Sequence, residues 1–310
     1  MDHAGHAVED HSIGSLPFQN ILHLTDFSSC SDAAFRWAID MARANQAKLS
    51  MLHVLIPDML TRLTPDSSSA AFDLQEKWAQ WGMRRIEAQL VDFPHRTIIA
   101  RGDDAWSVVE ARQKELGSDL IVLGIHGRTG LKKRLPGSVA ERVLRMSTVP
   151  VMTVGPGVAP GLECDGKFHR VLLATNLALE STAAAEYATA LARRDQAELV
   201  LLHACKPSKR AKSDKFSELS VAEALHRLQE LVQEADTLRG HPEALVEFGD
   251  AGTQILEVAE RKKADLIVMG VQKTSSVLAA THLEIGSTHN VVTHAPCPVL
   301  TVRPSVRQAA

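Results

Sequence analysis

Residues 118–154 read SDLIVLGIHGRTGLKKRLPGSVAERVLRMSTVPVMTV. DLIVLGI is a short continuous apolar run, SVAERVLRM reads as an amphipathic helix, and PVMTV is a second apolar run. Strand, helix and strand in that order predict one unit of a parallel sheet. The loop that leaves the first strand concentrates glycine and positive charge: Gly124, Gly127 and Gly130, with Arg128, Lys132, Lys133 and Arg134. Glycine at a strand exit lets the backbone turn with positive φ and lets a ligand approach the main chain closely. Gly137-Ser138 opens the helix, so free N–H groups and the positive end of the helix dipole face the loop. A polyphosphate uses all three features, whereas the glycines alone suit a turn and a helix cap with a solvated basic surface equally well. Neither G-x4-G-K-[ST] nor G-x-G-x-x-G occurs, so no lysine is placed by a Walker motif to grip the β- and γ-phosphates.

The stretch has an altered second copy. SDLIVLGIHG at 118 returns as ADLIVMGVQK at 264, NILHLTDFSSCSDAAFRWAIDMA at 20 as RVLLATNLALESTAAAEYATALA at 170, and KLSMLHVLIP at 48 as ELVLLHACKP at 198. These offsets of 146, 150 and 150, with 148 for VPVMTVG at 149 returning as CPVLTVRP at 297, drift only by small insertions, so two homologous units follow one another. GPGVAPGLECDG, 155–166, concentrates glycine and proline at the join, and residues 1–16 form a polar tail. Within the first unit, ILHLTD, LSMLHVL and HRTIIARGD read as strands. Ser31 offers an N-cap, Phe35, Ala38, Ile39 and Ala42 share one helical face, and further helices cover about 72–92 and AWSVVEARQKEL. Such alternation predicts a parallel sheet covered on both faces, with ligands bound outside the carboxyl ends of the strands where their order reverses.

Composition narrows the partners. The 310 residues are 45% hydrophobic and 23% charged with a formal net charge of −3, so there is no global basic field for nucleic acid. Aromatic residues are 4%, too few for base-stacking platforms. No apolar run spans a bilayer, the N-terminus lacks the pattern of a secretory signal, and Cys30, Cys164, Cys205 and Cys297 are widely spaced, which together predict a cytoplasmic protein with reduced thiols and no membrane partner.

With LHLTDFS at the first strand exit, LHV at the second and G-x2-G-x9-G-S from Gly124 to Ser138, the chain resembles the universal stress protein family over nearly all of residues 17–304. More narrowly, it resembles the ATP-binding branch in tandem form. The resemblance implies an α/β fold of two doubly wound domains, each a five-stranded parallel sheet of order 3-2-1-4-5 flanked by helices. They would occupy 17–155 and 168–305, with 156–167 as linker, and pair through their last strands within one chain; a homodimer is a further implication. It also implies an adenine nucleotide, ATP with Mg²⁺ carried on its phosphates. Asp26 would hydrogen-bond near the ribose or base, and Val54 would offer main-chain groups to adenine. Gly124, Gly127 and Arg128 would line the phosphate path, with Gly137, Ser138 and Val139 binding phosphate through main-chain N–H groups and the serine hydroxyl. Asp26 has an alternative role as an Asx-turn acceptor capping the next helix, and Ser138 as a plain N-cap. His126, inside the loop, reaches phosphate or solvent.

The second unit departs from the pattern. In GVQKTSSVLAATHLEIGST, 270–288, Lys273 replaces the second glycine, the cations are gone and Glu284 precedes Gly286-Ser287; Asn176 takes the place of Asp26. This half is expected to be a degenerate partner domain or to bind something else. His53 and His203 close matching strands and read as packed, hydrogen-bonded residues. Trp78 and Trp81 pack on one helix face or mark a partner surface. Arg101-Gly102-Asp103 reads as a strand-to-helix turn, since Phe248-Gly249-Asp250 stands at its counterpart. The expected function is an ATP-binding regulatory protein of the stress response, with a slow ATPase or phosphotransferase and a nucleotide-independent scaffold as alternatives; no catalytic residue and no protein metal site is placed by motif.

Overall fold

A computed structural model describes residues 18–56, 65–125, 138–158, 167–178, 181–205, 214–232, 237–271 and 286–303. The N-terminal half runs β1 (Asn20–Leu24), α1 (Ser29–Asn45), β2 (Lys48–Leu55), α2 (Pro65–Glu87), β3 (His95–Arg101), α3 (Ala105–Leu116), β4 (Leu120–Gly124), α4 (Ser138–Met146) and β5 (Val151–Val154). The C-terminal half repeats it with β6 (Arg170–Thr175), α5 (Ser181–Asp195), β7 (Glu198–Cys205), α6 (Asp214–Glu230), β8 (Glu243–Phe248), α7 (Ala251–Lys262), β9 (Leu266–Gly270), α8 (Ser287–His294) and β10 (Val299–Val302). The long helix begins earlier than the expected 72 and ends at Glu87.

Strand order within each half is 3-2-1-4-5, and the halves join into one ten-stranded sheet, β3-β2-β1-β4-β5-β10-β9-β6-β7-β8. All pairings are parallel except β5 with β10. Two apolar cores lie on the two faces. Phe35, Met41, Met83 and Ile86 of α1 and α2 share one with Ala188 and Leu191 of α5, and Trp106, Val109 and Val143 of α3 and α4 share the other with Val258 and Val291 of α7 and α8. Both cores cross the β5–β10 seam, so neither half closes its interior alone.

The seam is reciprocal, as a two-fold interface requires. Thr153 Oγ1 donates to Val299 O at 3.3 Å, and Thr301 Oγ1 donates to Val151 O at 3.2 Å. Phe18 stacks on Tyr187 with ring centroids 5.6 Å apart, and its counterpart Phe168 stacks on Trp37 at 5.9 Å. Because β10 runs against β5, the carboxyl ends of the two sets of strands open at opposite edges of the sheet. A ligand in one crevice therefore lies across the sheet from the other.

His23, on β1, is fully buried beside Phe35, with ring centroids 5.6 Å apart. Its Nδ1 donates to Val122 O at 3.1 Å, and its Nε2 is buried with no partner among the described residues. Burial of this ring, only partly opposed by the Val122 bond and the Asp26 charge, pushes the pKa down from 6.5 to about 4. The second half holds Leu173 at the same place. Below pH 6.5 the unfolded chain takes up a proton that the native chain refuses, so stability is full above that value and falls as pH drops toward 4. Going from pH 7 to pH 5 should cost about 2 kcal/mol through this residue alone. Urea denaturation should show His23→Leu losing less stability than the wild type over that interval, by about that amount; equal losses would contradict it.

Candidate functional site

Three neighbouring strands of the N-terminal half, β2, β1 and β4, run parallel and point their carboxyl ends to one edge. Leu24 pairs with Leu52 of β2 and Leu123 of β4, so Asp26, Val54 and Gly124 stand side by side on adjacent exits, each about 5 Å from the next strand. The chain leaves β1 through a tight turn in which Phe27 has φ 61°. A non-glycine residue there costs about 1 kcal/mol, offset locally because Thr25 Oγ1 accepts the Phe27 N–H at 3.1 Å. The helix accordingly starts sooner than Ser31 would allow. Ser28 is the N-cap, its hydroxyl accepting the Ser31 N–H at 3.2 Å, while the Ser31 hydroxyl donates to Thr25 Oγ1 at 2.8 Å.

Asp26 forms the Asx-turn. Its Oδ1 accepts the Ser28 N–H at 3.0 Å, and Oδ2 takes no hydrogen bond among the described residues. One carboxylate oxygen shapes the loop and the other is left for the crevice.

The Val54 N–H is not paired to β1 among the described residues. Thr25 N–H donates to Leu52 O, and the parallel ladder would continue from Val54 N–H to Thr25 O. The pairing ends at Leu24 with Leu52, and His53 Nδ1 donates to Thr25 O at 2.7 Å. The Val54 N–H, pointing the same way as the Leu52 carbonyl, is left facing the exit of β1. His53 is thus packed and hydrogen-bonded.

Gly124 also has a packing reason to be small. It lies in β4 without positive φ, and a Cβ there would fall 2.6 Å from the Cys30 carbonyl group and 2.8 Å from the Ser31 N. The first turn of α1 packs directly on the exit of β4, which brings the α1 N-terminus to the crevice. Ser138 and Val139 are the exposed first residues of α4, and since β4 and β5 are parallel, α4 must start at the carboxyl edge of the sheet. His126, Gly127, Arg128 and Gly137 lie outside the described residues, as do Lys132, Lys133 and Arg134.

An aromatic group missed in the sequence closes one side. Phe27 lies 4.6 Å from His53 and 5.1 Å from Trp78, ring to ring, and a Cβ on Gly82 of α2 would come within 2.8 Å of the Phe27 ring. This fixes α2 against the exits of β1 and β2. A pair of apolar residues following a strand gave no sign of left-handed backbone, and only the repeated Leu177, with φ 59°, marks it as built in.

The matching exit in the other half has the same backbone and different chemistry. Thr175 Oγ1 accepts the Leu177 N–H at 2.9 Å, and His203 Nδ1 donates to Thr175 O at 2.9 Å. Asn176, however, offers a single oxygen, which already accepts the Ala178 N–H at 3.0 Å and the Ser181 hydroxyl at 2.9 Å. The ladder also runs one step further, with Thr175 paired to His203, so Ala204 N–H is engaged with Thr175 O. At the place of Asp26 Oδ2 the side chain carries an amide nitrogen, a donor in place of an acceptor, and the N–H corresponding to that of Val54 is spent.

Comparison with known proteins places this arrangement. The model of the universal stress protein family matches the chain twice, over residues 17–155 and 167–303. The chain belongs to the universal stress protein family. A universal stress protein of Thermus aquaticus is 37% identical over 139 residues, covering 44% of this chain and 99% of the relative, and one of Bacillus subtilis is 31% identical over 147 residues, again covering 44% and 99%. The crystal structure of a universal stress protein from Archaeoglobus fulgidus covers 92% of this chain and 98% of its own with a TM-score of 0.60 at 23% identity, a likeness of fold.

In this universal stress protein the glycine at the end of β4 serves helix packing first. Gly124→Ala should therefore lower stability with no ligand present, by the about 1–3 kcal/mol typical of overpacking. Denaturant unfolding of the free protein checks this, and an unchanged midpoint would mean that α1 does not rest on Gly124 as described.

Proposed function

We propose that the N-terminal half binds ATP, with Mg²⁺ carried on the phosphates, and that occupancy regulates the protein's contacts in a stress response, while the C-terminal half is a nucleotide-free structural partner. The observation that carries this reading is the contrast between twin exits. Among the described residues Asp26 keeps an uncommitted carboxylate oxygen and Val54 an uncommitted N–H, whereas Asn176 has spent its one oxygen and Ala204 its N–H. A ribose hydroxyl and an adenine edge call for that acceptor and that donor side by side.

The remaining fit is chemical. ATP carries a polyanionic tail, for which the start of α4 supplies main-chain N–H groups and the Ser138 hydroxyl. Family resemblance assigns the path between to Gly124, His126, Gly127, Arg128 and Gly137. In the C-terminal half Lys273 would add a side chain where Gly127 leaves space, and Glu284 would oppose phosphate.

Calorimetric titration with ATP and Mg²⁺ tests both parts. The expected stoichiometry is one nucleotide per chain. Asp26→Ala should weaken binding at least about tenfold, the loss of one charge-assisted hydrogen bond, and Gly127→Lys should abolish it with the fold retained. Saturation at two per chain, or unaltered affinity in both variants, would overturn the reading.

A further inference from the structure

We infer that the exposed face of α2 is a self-association surface, on which a second copy of this chain docks its own α2 in antiparallel fashion. Leu74 and Trp81, seven residues apart and therefore on one stripe of the helix, are 70% and 61% exposed, with half-buried Trp78 between them. The other side of α2 is anchored by buried Met83 and Ile86 and by Gly82 against Phe27, so the stripe is presented on a fixed helix. Trp81 is itself held in place. The Arg85 guanidinium lies over its ring at 6.0 Å and donates to both Asp32 oxygens at 3.0 and 3.1 Å. Burying a ring already ordered this way loses little side-chain entropy.

The repeat supplies an internal control. α6 occupies the same place in the C-terminal half, between its second and third strands, yet its described outer face is polar, with Arg227 paired to Glu223 and His226 Nε2 3.3 Å from Glu230. No large apolar side chain is exposed among its described residues. Fold alone therefore does not require the aromatic stripe on α2.

Charge placement selects the occupant. Exposed Asp73 and Arg84 carry no ion pair among the described residues. At 1.5 Å and 100° per residue, their eleven-residue separation puts them about 16 Å apart and within about 20° on the same flank of the stripe. A two-fold axis perpendicular to α2 sets each Asp73 against the Arg84 of the other copy, and brings Leu74 and Trp81 of one helix over Trp81 and Leu74 of the other. Parallel docking would carry the two flanks to opposite sides of the contact and pair neither charge. A single helix pair buries less than the about 800 Å² per partner of a standard interface, so the association is concentration-dependent.

Sedimentation equilibrium of the full chain from about 1 to about 100 µM, a range that covers weak association, should show mass rising from one chain to two. Trp81→Glu should remain monomeric throughout, Arg84→Glu should weaken association at least about tenfold, and Asp73→Lys combined with Arg84→Glu should restore it. These surface changes should leave the melting temperature unaltered. A wild type monomeric at every concentration, Trp81→Glu associating like the wild type, or a charge swap that fails to recover association would each overturn the proposal.

Discussion

Everything in the molecule is arranged around the antiparallel contact of β5 with β10. It is short, three paired positions, but it fuses two five-stranded parallel sheets into one and forces the two halves into a two-fold relation. The reciprocal threonine hydroxyls and the two aromatic stacks follow from that symmetry, as does a core shared across the seam. A pair of sequence copies could have folded as separate beads; here neither does, because Phe18 and Phe168 each complete the other half's interior.

The same contact separates the two crevices. Opposed strand directions place them at opposite edges of the sheet, so the C-terminal half cannot lend residues to the N-terminal exit. Whatever it contributes acts through the seam. This lets the two exits carry different hydrogen bonding on one backbone shape. Thr175, His203 and the left-handed Leu177 keep the loop's shape, while Asn176 turns its one oxygen inward to Ala178 and Ser181. Backbone shape is retained where packing demands it; the free acceptor and donor, which packing does not demand, are gone.

Much of the architecture was legible in the residues. Apolar runs separated by helical periodicity, and their return at offsets near 150, specify the strands and their repetition; the family likeness supplied strand order. Asp26 and Val54 were legible as positions but not as states. Nothing in LTDFSSCSD says that Asp26 gives one oxygen to the Ser28 N–H, or that the β1–β2 ladder stops before Val54, since the first depends on the turn at Phe27 and the second on pairing between strands. Ser31 looked like a cap because serine before a helical run usually is one, but Phe27 in the left-handed region lets Ser28 cap first. Gly124 looked like a ligand-facing glycine, and the neighbour it accommodates is the Cys30 carbonyl, one strand away in space and more than ninety residues away in sequence. Trp81 could be read as core or as partner surface, and only the fold shows it facing outward.

The central claim is that equivalent exits of one sheet differ in a free carboxylate oxygen and a free main-chain N–H, and that the difference decides where nucleotide sits. The most direct test is a crystal structure of the protein grown in excess ATP and Mg²⁺. It should show the ribose and adenine against Asp26 and Val54 and no nucleotide at the opposite edge. Density beside Asn176 and Ala204, or an N-terminal crevice without nucleotide in that crystal, would contradict the account.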